Sequence, residues 1–177
     1  YNETFKVRKD LTNLSKQVRE NVSINNVEVI AAWREYFYET LHSKTYRFDQ
    51  NSLNKVLRMY NELRINYNLD RVEFAKAIVS SVQAIPYSVL ADNECNFEVN
   101  PDNLDCEENV KYGFYSPAEF ISSFKGDCDT KALFCFFILD KFKYDVALLV
   151  SFEYQHAIIG INLNVGGGKY KMFNKKR

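Results

Sequence analysis

The chain has 177 residues, 46% of them hydrophobic, with 14 Phe and 12 Tyr but only six Gly and three Pro. That is enough apolar material for one packed domain, and it leaves little for long linkers. Its 23 Lys and Arg balance 23 Asp and Glu, which excludes a global field that would draw it to nucleic acid or an anionic membrane, and no apolar run approaches the roughly 20 residues of a bilayer span.

In chain order, Val7, Leu11, Leu14 and Val18 recur at helical spacing, so a helix with that apolar face is expected. The aromatic stripe of residues 29–41, VIAAWREYFYETL, extends the helical region as core or docking surface. Asn51 is placed to cap a helix whose apolar face is Leu53, Val56, Leu57, Tyr60, Leu63 and Tyr67. Asp70 and Glu73 have the spacing of a capping box for a further helix with Phe74, Ile78, Val79 and Val82, ending at Ile85-Pro86.

From Ala77 to Val110 there is no Lys or Arg but seven acidic residues, so the latter part of this stretch reads as a polar surface loop. It holds Cys95 and Cys106. They are close enough to be joined by a disulfide in an exported protein, with two free thiols in a reducing compartment as the alternative. The carboxylates of Asp102 and Asp105 are the place where calcium would bind, but their spacing is not that of an EF-hand loop, so a solvated loop and no cofactor are expected. No CxxC or HxxxH spacing suggests zinc.

Ser116, Pro117 and Glu119 mark another helix start, expected to run to Gly126. Asp127 then caps a helix from Cys128 to about Phe142, apolar over so much of its surface that it should be central. Residues 144–152 and 155–165 are rich in β-branched residues, and 166–168, all Gly, separate them from residues 170–173. These read as strands of an antiparallel sheet packed on that helix. In the second strand Ala157, Ile159, Ile161 and Leu163 share the apolar face, which turns His156 toward a rim or cleft.

Cys128 is the candidate nucleophile. A helix start offers unpaired backbone N–H groups and partial positive charge that favour a thiolate and can hold an oxyanion, and a neighbouring imidazole supplies proton traffic. Asp127 and Asp129 oppose this by repelling a thiolate, and both are expected to point outward to capping or surface partners. Cys135, two turns on among Phe134, Phe136 and Phe137, is assigned to the core. Gln83, just before the extended segment that should approach the helix start, is a candidate second oxyanion donor. Tyr87 and Tyr115 are candidates for lining the cleft.

The segments PAEF, GDCDTKALFCFFILDKF, YDVALLVS and YQHAIIGI, across residues 117–157, resemble the transglutaminase-like superfamily of papain-type thiol enzymes. The likeness reaches back to VQAIPY at 82–87. It implies an α+β transglutaminase-like (papain-like) domain, with a helical region over 1–70 and a Cys/His core over 71–177 truncated at its C-terminal end. It also implies Cys128 as nucleophile, His156 as general base and acid, and a third residue orienting the imidazole. Relatives usually have Asp there, but no Asp or Glu follows Glu153 in this chain, so the role is expected to fall to Asn174 or to a residue beyond Arg177. The expected activity is acyl transfer on a protein or peptide substrate, most simply hydrolysis. A non-enzymatic protein-binding module on the same fold is the competing expectation.

Overall fold

The computed structural model describes residues 9–21, 44, 53–96, 104–151, 153–154 and 156–164. The predictions at Val7, Asn51, Asp102 and Asn174, along the 29–41 stripe and over 166–173 lie outside them. Among the described residues the architecture mixes helix with two small sheets, an α+β arrangement. The order is α1 (Lys9–Glu20), α2 (Asn54–Asn66), α3 (Arg71–Gln83), β1 (Val89–Leu90), β2 (Cys106–Glu107), a 3-10 turn (Lys111–Gly113), α4 (Pro117–Ser123), α5 (Cys128–Lys141), β3 (Val146–Ser151) and β4 (His156–Ile161).

Helix α5 is the centre. Ala132, Leu133, Phe134, Cys135, Phe137, Ile138 and Leu139 are all buried, because every side of the helix meets another element. On one side lie Phe74, Ile78 and Val82 of α3, with Leu53, Val56 and Tyr60 beyond them. On another, Phe120 of α4 meets Phe134 with ring centroids 5.0 Å apart. Each such fully buried aromatic or aliphatic side chain contributes about 1.5–3 kcal/mol. β3 and β4 cover a third side as an antiparallel pair in the register Leu148↔Ile159, Val150↔Ala157 and Ser151↔His156. Alternation turns Ala157 inward and leaves His156 and Ile158 exposed, as the strand pattern requires.

Both capping boxes form. Asp70 accepts from the N–H of Glu73 at 2.8 Å, and Ser116 from that of Glu119 at 3.3 Å, while each glutamate accepts from its cap residue in return. Helix α2 instead starts at Asn54 with Leu53 in the cap position and no side-chain cap bond; burial of Leu53 in the core holds that end.

Three expectations are corrected. Helix α4 stops at Ser123, three residues before Gly126, because Phe124 turns left-handed at φ 52° and its N–H closes the end on Phe120. The acidic stretch is not all loop: β1 and β2 pair in parallel, Val89 opposite Cys106, and the Cys95–Cys106 disulfide fastens β2 to the segment after β1. Helix α1 only half-buries Leu11 and Val18 of its expected apolar face. Leu14 is exposed, and the residues buried are Ser15 and Arg19. Polar partners on α4 explain this: the Ser15 hydroxyl donates to that of Ser116 at 2.7 Å, and Arg19 to both carboxylate oxygens of Glu119.

Candidate functional site

The first turn of α5 is where the chemistry gathers. Asp127 caps it by accepting from the N–H of Thr130 at 3.0 Å, and Thr130 in turn accepts from the N–H of Tyr115 at 2.9 Å, which fixes the approach of α4. Gly126 is needed just before the cap. A Cβ there would meet Thr130 Cγ2 at 2.8 Å and Phe120 Cδ2 at 3.1 Å, so a side chain would force the turn off the helix.

A second segment lies alongside Gly126. Tyr87 pairs with Gly126 in a parallel bridge, and the N–H of Ser88 donates to the carbonyl of Gly126 at 3.3 Å. Lys131, one turn into α5, clamps the same segment by donating to the carbonyl of Ile85 at 2.6 Å, with its ammonium 5.7 Å from the centre of the Tyr87 ring. The turn is also held from the disulfide side. Glu107, next to Cys106, accepts from the Tyr115 hydroxyl and from Lys125 at 2.8 Å.

Cys128 opens α5 and is half-buried, and it meets three groups. The backbone N–H of Ala157 on β4 hydrogen-bonds the thiol. The hydroxyl of Tyr87 lies against both the thiol and the backbone N–H of Cys128. The thiol is 4.0 Å from Oδ1 of Asp129. His156, next to Ala157 and exposed, is near enough to Asp129 to oppose the rise of that carboxyl. Among the described residues no hydrogen bond joins the imidazole directly to the thiol.

The electrostatics follow from this crowding. Burial pushes the Cys128 thiol above its ordinary value; the Ala157 N–H pulls it down, while Asp129 and Asp127 push it further up. Burial raises Asp129, against the pull of His156. Asp127, expected to point outward, is instead buried at the cap, and burial lifts its carboxyl to about 7. Tyr87 is pushed up to about 12, by burial first and then by the charges of Cys128 and Asp127, so its hydroxyl keeps its proton at neutral pH.

Cys128 and the His156 strand therefore come together, and Cys135 is buried in the core with its thiol pushed up to about 12. Gln83 is exposed at the last position of α3; the residue of this segment that meets the thiol is Tyr87. Asp105 is exposed and lies 3.8 Å from the Lys125 ammonium, which supplies the charge a calcium ion would have to displace. Asp129 and Lys131 belong to the site but were not singled out as working parts by sequence. The signal for both was proximity to Cys128 along one helical turn.

No family model matches the chain, and neither a curated protein nor a solved structure matches it. Among the described residues no helix is long and apolar enough to cross a membrane.

Proposed function

We propose that the chain is a thiol-dependent acyl-transfer enzyme of transglutaminase-like kind, cleaving an amide or peptide bond through Cys128 and His156. The observation that carries this reading is the half-buried thiol of Cys128 at the start of the central helix, bonded by the N–H of the residue next to His156. It is the free cysteine that remains accessible, since Cys95 and Cys106 are joined and Cys135 is buried.

Because the thiol rests protonated at neutral pH, His156 works as a general base that takes the proton as attack begins. The sulfur lone pair forms the bond to the acyl carbon, and the carbonyl π pair moves onto oxygen. When that pair re-forms the carbonyl, the carbon–nitrogen bond breaks and His156 returns the proton to the departing amine, leaving a thioester on Cys128. Water then attacks the thioester, His156 accepts its proton, and the thiol is restored with release of the acid. On the same resemblance the imidazole would be oriented by Asn174 or by a residue beyond Arg177, while Asp129 on α5 is close enough to His156 for the two to interact electrostatically.

Trapping tests this directly. Incubation with p-nitrophenyl acetate followed by mass spectrometry should find one acetyl group on Cys128 that decays in buffer, and faster decay with an added primary amine would indicate crosslinking in place of hydrolysis. An adduct that is never formed, or never released, contradicts the reading.

A second reading has its own support. Burial and two aspartates hold the thiol above its ordinary pKa, which suits a catalytically weak module. Such a module would bind a protein through the same cleft.

A further inference from the structure

We propose that the Cys95–Cys106 disulfide is a redox switch on the Cys128 centre, and that Glu107 is the positioning residue through which it acts. This is a regulation of the site assigned above, and its consequence for catalysis rests on the acyl-transfer reading.

The path runs bond by bond. Along β2, the carbonyls of Asp105 and Glu107 accept from the N–H groups of Val89 at 2.7 Å and Ala91 at 2.9 Å, and the disulfide ties Cys106, between them, to Cys95. Glu108 adds to the tie by accepting from the N–H of Cys95 at 2.9 Å. From this frame the Glu107 carboxylate reaches Lys125 at 2.8 Å and accepts from the Tyr115 hydroxyl. Both partners lead to α5. Lys125 stands just before Gly126 and the Asp127 cap, and the N–H of Tyr115 donates at 2.9 Å to the hydroxyl of Thr130 in the first turn.

One carboxylate thus holds the turn that presents the thiol from two sides, and its place depends on β2. β1 and β2 are two residues each and pair in parallel, the weaker arrangement per residue. The covalent link limits how far so short a strand can drift. Burial raises the Glu107 carboxyl, but the bonds from Lys125 and Tyr115 outweigh it and bring the group below its ordinary value, so the charge that holds both partners is present at neutral pH.

The switch is a thiol–disulfide exchange. Cys95 and Cys106 are both partly exposed, so a dithiol reductant can attack one sulfur and then close on itself as a cyclic disulfide. It gives up two electrons and two protons, and Cys95 and Cys106 are left as thiols. β2 is then free to carry Glu107 away from Lys125 and Tyr115. The turn loosens, the thiol opens to solvent, and its alignment for acyl transfer is lost.

The rate of iodoacetamide labelling at Cys128, read for each cysteine by mass spectrometry, reports on the turn without any acyl transfer. After dithiothreitol treatment of the folded protein and desalting, Cys95 and Cys106 should label, and Cys128 should label about tenfold faster than in untreated protein. Cys135, buried in the core, should stay unlabelled. Glu107→Ala with the disulfide closed should reproduce the acceleration at Cys128, and reducing that variant should add little more. A disulfide that stays closed under dithiothreitol, an unchanged Cys128 rate, or independent effects of reduction and Glu107→Ala would overturn the proposal. So would labelling of Cys135 in step with Cys128, which would mean that the disulfide holds the whole fold and not the turn. The acyl-transfer reading is checked apart from this with p-nitrophenyl acetate on the disulfide-bonded protein: failure to acetylate Cys128 removes that reading and leaves the labelling result standing.

Discussion

Arg19 of α1 and Glu119 of α4, one hundred residues apart in sequence, meet as a buried fork, with both guanidinium–carboxylate contacts at 3.0 Å. The same carboxylate closes the capping box of α4 by accepting from the N–H of Ser116 at 2.9 Å. Arg19 also donates to the carbonyl of Lys111, so a single side chain anchors α1 to the frame that carries Thr130 and the start of α5.

Removing one partner should therefore be costly. Arg19→Ala leaves Glu119 charged and buried, and urea unfolding is expected to show a loss of about 3–5 kcal/mol. The pair Arg19→Met with Glu119→Gln, which removes both charges, should recover most of it. A single-variant loss no larger than that of a surface substitution would contradict the buried fork.

Asp127 makes stability depend on pH. Burial raises its folded carboxyl to about 7, above the ordinary aspartate value of 3.8, so the folded state holds this proton more tightly than the unfolded one. Its contribution is most favourable below pH ~4 and is lost as pH rises toward ~7, by on the order of 4 kcal/mol. Asp127→Asn keeps an acceptor for the N–H of Thr130 without the charge. Its melting temperature relative to wild type should rise steadily from pH 4 to pH 7.5, and a constant difference would count against a buried, raised carboxyl.

Gly126→Ala tests why glycine precedes the cap. The added Cβ falls 2.8 Å from Thr130 Cγ2, and the strain is expected to cost about 1–3 kcal/mol. Thr130→Ser removes that methyl but keeps the hydroxyl that accepts from Tyr115, so the double variant should regain part of the loss in thermal unfolding. If the second change gives no rescue, the close contact is not what excludes a side chain.

Asp129→Asn should lower the pKa of Cys128, because the carboxylate 4.0 Å from the sulfur is one of the charges holding it up. The pH profile of iodoacetamide alkylation is expected to shift toward lower pH, with faster labelling near neutrality. A profile that does not move, or moves upward, would mean that Asp129 does not oppose the thiolate.

How much of this was legible in the sequence depended on how far each partner lay along the chain. Asp70 with Glu73, and Ser116 with Glu119, are local hydrogen-bond pairs that any observer can count, and both formed. Alternation placed Ala157 inward and His156 outward, because the period of a strand is a property of the backbone. Cys95 and Cys106, left open between a bridge and two thiols, are joined. By contrast, the burial of Arg19 was invisible, since the residue that compensates it is Glu119 on another helix and apolar periodicity pointed to the neighbouring stripe of the helix. The left-handed turn at Phe124 carries no composition signal, as glycine was available two residues later. Tyr87 was named for the cleft with little to set it apart among 12 tyrosines, and Asp127 formed the expected cap bond to Thr130 but is buried there instead of turned outward.

Whether His156 activates Cys128, as proposed, is read from the acylation rate with p-nitrophenyl acetate at neutral pH, with Cys128→Ala as the blank. His156→Ala should acylate ~10²-fold more slowly than wild type, the contribution of a positioned general base, while its thermal unfolding stays close to wild type because the imidazole is exposed. A His156→Ala protein that acylates at the wild-type rate would contradict the account.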